Sequence, residues 1–239
     1  MVLKILLFSL LPAIVLISTG MIAAYKSPSE NLRGAILHFA AGVVFSIVAV
    51  ELLPGIIEKH LPLEVLLGFG SGIGLMFLIE KLTKQNLSVK GTLEGEAARG
   101  FLITMGVDIV IDGLLLGIGF AAGEEQGILL AVALTIEIMA LALALAAQLT
   151  ADGYTKQRIT KLLLLFGGLF LVVAIAGATL FGNLSDELLE TLLSFGLAAL
   201  LYLVTEELLV EAHELKEKSY MTLSFFVGFI LFVIIGMYV

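Results

Sequence analysis

Gly106-Val107-Asp108-Ile109-Val110-Ile111-Asp112-Gly113-Leu114-Leu115-Leu116-Gly117-Ile118-Gly119-Phe120 is an apolar run interrupted by two aspartates. Its composition suits a helix in hydrocarbon, where a charge costs about 2.5–3.5 kcal/mol on insertion scales. Acids kept at that cost generally serve a site. Asp108 and Asp112 are four residues apart. Both carboxylates therefore stand on one helix face, about 6 Å apart along the axis. Such a pair can hold a cation, share a proton, or do each in turn. Gly113 and Gly117 form a small-xxx-small pair where another helix can approach closely.

The surrounding composition agrees with a bilayer setting. Of 239 residues, 60% are hydrophobic and 14% charged, against about 25% charged in a soluble domain, and mean hydropathy is +1.12. Residues 1–239 read as a single polytopic membrane domain, with the lipid bilayer as its first partner. The absence of cysteine excludes disulfides and thiolate metal sites. A net charge of −8 argues against a nucleic-acid partner. No resident cofactor is expected.

Eight segments are long enough to span, at about 20 residues each: 5–25, 34–54, 62–80, 100–122, 127–149, 161–182, 188–209 and 220–239. The first exceeds the 7–15 apolar residues of a signal peptide, so it reads as a retained helix. The longest connection is 83–99. Eleven of the thirteen basic residues fall in the connections after the odd-numbered spans, leaving only Lys4 and Lys59 on the other side. The positive-inside rule then makes those connections, 83–99 included, cytoplasmic and both termini external. The expected location is the cell membrane, crossed many times.

This orientation sets depth. Asp108 falls slightly cytoplasmic of the midplane, Asp112 and, on the fifth span, Glu137 fall near it, and Ala133, Ala140 and Ala144 allow the fourth and fifth helices to pack closely. His38 lies in the inner third of the second span, with Glu51 near its outer end. The seventh span ends on the inner side with Glu206, Glu207, Glu211 and His213. Glu51, Glu58, Glu64, Glu124, Glu125, Asp186, Glu187 and Glu190 make the outer surface acidic, so it should concentrate cations. Phe39 to Leu53 aligns without gaps on Phe195 to Leu209, an offset of 156 residues or five spans. The two copies therefore cross in opposite senses, as in an inverted repeat of helices 1–3 and 6–8 around helices 4 and 5.

These residues resemble the ZIP family of zinc- and iron-type divalent metal transporters. Asp112-Gly113-Leu114-Leu115-Leu116-Gly117-Ile118-Gly119-Phe120 is similar to the fourth-helix signature, His-Asn-x-Pro-Glu-Gly with a glycine-spaced tail. His38 to Gly42 with Glu51-Leu52-Leu53-Pro54 resembles the second helix, and Leu201-Tyr202 with Glu206 to His213 the seventh. The resemblance implies an eight-helix transporter with external termini. The motifs are incomplete: Asp108, Ile109, Ile111 and Asp112 stand where the family has His, Asn, Pro and Glu. The fifth-helix motif His-Glu-x-Pro-Glu is matched by Ile136-Glu137-Ile138-Met139-Ala140. A one-metal site of Asp108, Asp112 and Glu137 survives this comparison; a two-metal site does not.

The leading expectation is inward movement of zinc, manganese or iron by alternating access through that midplane site. His38, Glu206, Glu207, Glu211 and His213 would line a cytoplasmic exit path. His38 is equally read as a histidine bonded to a backbone carbonyl, and the four seventh-span residues as a solvated helix end. The alternative function is a ZIP-like membrane metal sensor or scaffold that does not transport. An enzyme is not expected, because an intramembrane aspartyl hydrolase needs its two acids facing each other from separate helices. A homodimer is compatible with the sequence, which does not name the metal.

Overall fold

In hydrocarbon, backbone N–H and C=O groups must be paired within the segment itself, and the apolar stretches accordingly fold as helices. The computed structural model describes residues 2–26, 28–88, 94–215 and 218–238, and no strand occurs among them. The helices are α1 (Val2–Tyr25), α2 (Glu30–Ile47), α3 (Leu53–Lys59), α4 (Pro62–Ser88), α5 (Glu94–Ala122) and α6 (Glu124–Ala151). They continue as α7 (Lys156–Phe181), α8 (Asp186–Tyr202), α9 (Leu209–Glu214) and α10 (Ser219–Gly236). Side-chain caps on Ser29, Thr155 and Ser185 accept from Leu32 N, Arg158 N and Leu188 N and start α2, α7 and α8.

Two wide π turns join pairs of these helices into continuous spans. Val48–Leu52 links α2 to α3, where Leu53 N donates to Val48 O. Leu203–Leu208 links α8 to α9, where Leu209 N donates to Val204 O. With those joins, seven described helices are long and apolar enough to cross a membrane, and Tyr220–Gly236 is a shorter apolar helix. The expected connection 83–99 is shorter than the sequence suggests. Residues 83–88 extend α4 and 94–99 begin α5, so only 89–93 remain, outside the described residues.

The bundle has a clear inside and outside. In its most apolar window α6 is 72% buried and α4 only 17%. Leu63, Leu66, Leu67 and Phe77 of α4, with Leu223, Phe226, Val227 and Ile230 of α10, present apolar side chains outward, as a lipid-facing surface would. Helix α5 packs on α6 and α7, α1 on α6 and α7, α2 on α10, and α4 on α8.

Small residues allow these close approaches. A Cβ on Gly117 would collide with the backbone of Ala174, Gly177 and Ala178, and one on Gly113 would press on Phe170 O of α7. The expected Gly113–Gly117 seam is therefore filled by α7. A Cβ on Gly228 would collide with Phe39 O, and one on Gly72 with Phe195 O.

Candidate cation site

Asp112 and Glu137 each sit at the middle of a central helix and are fully buried, at 0% exposure, while Asp108 is 4% exposed. Around them Ile109, Leu116, Leu134, Ile138 and Ala140 are buried. All four carboxylate oxygens of Asp112 and Glu137 lack a hydrogen-bond partner among the described residues. Thr135 does not serve them: its hydroxyl donates back to Ala131 O at 2.6 Å. Asp108, Asp112, Glu137 and Glu207 are near enough to feel one another's charge.

The helix face explains why two acids one turn apart have different surroundings. Asp108 lies in the wall of a cavity of about 540 Å³ that opens at the Arg33 end of the bundle. Glu80, Glu206, Glu207 and Glu211 line the same space. Asp112, one turn deeper, is sealed. The three expected ligands are thus neighbours rather than a closed cluster. Among the described residues, no three His, Asp or Glu side chains converge as a metal centre requires.

The cavity mouth carries interactions that spacing alone does not reveal. Arg33 of α2 pairs with Glu211 of α9, and the Tyr202 hydroxyl donates to Glu80 of α4. Glu80 is the acid missed in the sequence, hidden at the end of a span with no motif around it. Its depth, level with Glu206 and Glu207, was the available signal.

The two histidines of the expected exit path, His38 and His213, stand apart from the cavity lining. His38 is 2% exposed. Its Nδ1 donates to Gly34 O at 2.8 Å. The carbonyl only accepts, so Nδ1 is the donor, and Nε2 has no partner among the described residues. His213 stacks edge-on to it, with ring centroids 5.4 Å apart. Of the expected exit-path residues, Glu206, Glu207 and Glu211 share the cavity, and the His38–His213 pair does not line it.

Chemically, the arrangement is an acid-lined funnel ending at two sealed carboxyl groups. Oxygen donors of this kind suit hard cations and protons. No protein-family model matches the chain, and no characterised protein matches it in sequence.

Proposed function

We propose that this chain transports a divalent metal cation across the membrane, with Asp112 and Glu137 as the midplane ligands and Asp108 as the relay to the cavity. The observation that carries this reading is the set of four buried carboxylate oxygens without a donor. A structural acid in a low-dielectric core is normally satisfied by hydrogen bonds, because leaving it unmet costs several kcal/mol. A cation passing from the cavity would satisfy both groups.

The basic-residue distribution supports a cytoplasmic cavity: Lys26, Arg33, Lys81, Lys156, Arg158 and Lys161 all lie towards the helix ends on its side. Both termini are then external. The direction of travel is inward, in keeping with the resemblance to ZIP transporters. With carboxylate and water as donors, discrimination between zinc and manganese is weak.

Alternating access needs two related halves, and an inverted repeat of α1–α4 and α7–α10 around α5 and α6 supplies them. Its support lies in correspondences at one offset. Val48 to Val204, Leu53 to Leu209, Phe39 to Phe195 and Gly72 to Gly228 are each 156 residues apart. The first two pairs form the two π-turn bonds, and the last two form glycine–carbonyl approaches, Gly228 on Phe39 O and Gly72 on Phe195 O. Since π turns make up well under 1% of residues in proteins, their recurrence at one offset favours common origin over coincidence.

A second reading, a membrane metal sensor that does not transport, is favoured by the lack of a converged three-ligand cluster among the described residues. Uptake of manganese and zinc into proteoliposomes separates the two. The parent should take up metal. Asp112→Asn should lose about 3 kcal/mol of binding, roughly 100-fold in apparent affinity, while staying folded. Metal binding without flux in the parent would favour the sensor. Equal flux in parent and variant would remove Asp112 from the path.

A further inference from the structure

At the opposite end of the bundle from the large cavity lies a pocket of about 170 Å³, bounded by Glu51, Lys59, Gln126, Asp186 and Glu190. Glu190 stands out within it. It is 2% exposed, yet its Oε1 has no hydrogen-bond partner among the described residues. Keeping a buried carboxylate oxygen without a donor is costly. Glu51 comes to the same pocket on the π turn Val48–Leu52, whose extra residue per turn alters where the side chain points. The pocket thus brings together carboxylates from two spans, an amide from α6 and a single ammonium, that of Lys59 on α3.

We propose that this pocket is a second cation site, taking a hard divalent ion such as manganese or calcium on Glu190 and Glu51, with water completing the shell. Two carboxylates plus retained waters are a normal ligand set for hard ions. The Gln126 side-chain oxygen can add a third donor. Lys59 is the built-in counter-charge that an incoming ion displaces; its side chain is exposed and free to swing away. Glu51 and Glu207 are 156 residues apart, so one position of the repeated segment places an acid at each end of the bundle. The site's existence stands without the transport reading. Only its purpose, loading ions towards Asp112 and Glu137, rests on that reading.

The chain contains no cysteine, which makes the test clean. Gly55 lines the pocket, and a Cβ there would meet no atom within 4 Å. Gly55→Cys therefore provides one reporter thiol without disturbance. In the purified full chain, manganese should slow maleimide labelling of that thiol in a saturable manner, and sodium chloride of equal ionic strength should not. Glu190→Gln in this background should raise the half-protecting manganese concentration at least tenfold. Glu51→Gln should act in the same direction and serves as the test if Glu190→Gln fails to fold. Asp112→Asn should leave protection unchanged. No protection by manganese, equal protection by sodium, or an unchanged concentration in the glutamate variants would each overturn the site. A shift with Asp112→Asn instead would assign the protection to the midplane. Absence of flux in proteoliposomes would remove the transport reading and leave this result standing.

Discussion

The two ends of the bundle carry similar chemistry in different states of opening. At the Arg33 end, a cavity of about 540 Å³ reaches Asp108 and brings Glu80, Glu206, Glu207 and Glu211 to one space. At the Asp186 end, a pocket of about 170 Å³ holds Glu51 and Glu190 and stops there. Between that pocket and Asp112, the facing halves of α5 and α6 are closed by apolar contact. Gly119 lies against Leu130, and Gly127 against the Phe120 ring, with no room for a Cβ on either glycine. Acids at both ends with an open approach at only one suit the alternating access proposed above. What distinguishes the ends is packing, not charge.

If the open end is the exit path, the two ends should respond differently to loss of an acid. Glu207→Gln removes a charge from the passage next to Asp108. It should lower maximal uptake in proteoliposomes by about tenfold, the scale of local ion concentration in charged clefts, with little change in half-saturating metal. Glu51→Gln should instead raise the half-saturating concentration and leave the maximum near the parent. The reverse pattern would exchange the roles of the two ends.

How far these features were legible in the residues follows from what hydropathy measures. Spans are visible because lipid requires about 20 apolar residues in a row, and Asp108, Asp112 and Glu137 are visible because they break that rule. The same counting placed Asp112 and Glu137 near the midplane and Asp108 slightly to its cytoplasmic side. It gave no means to tell that Asp108 lines an open cavity while Asp112, one turn away, is sealed. That difference comes from α4 and α9, whose Glu80, Val210 and Glu211 help shape the cavity. The two π turns were equally hidden, since one extra residue in a turn leaves no trace in composition. The expected connection 83–99 begins inside α4, which runs on to Ser88. His38 turned inward to Gly34 O rather than to the cavity, the second of the two readings open to it.

A smaller effect is expected at the open mouth. The Arg33–Glu211 pair joins α2 to α9, with about a quarter of each side chain exposed, at 22% and 24%. A partly solvated pair of this kind contributes about 1 kcal/mol at most. Arg33→Gln should therefore lower the melting temperature only slightly. It should leave Glu211 unpaired in the passage, so that manganese binds more tightly at the cavity end and leaves more slowly. A large loss of stability would instead make the pair a structural clamp.

The central claim is that a cation rests between Asp112 and Glu137, and anomalous scattering from crystals soaked in manganese tests it most directly. The account predicts a peak bridging these two carboxylates, lost in Asp112→Asn crystals of the same form. A map with manganese at the cavity or pocket acids and none at Asp112 would contradict it.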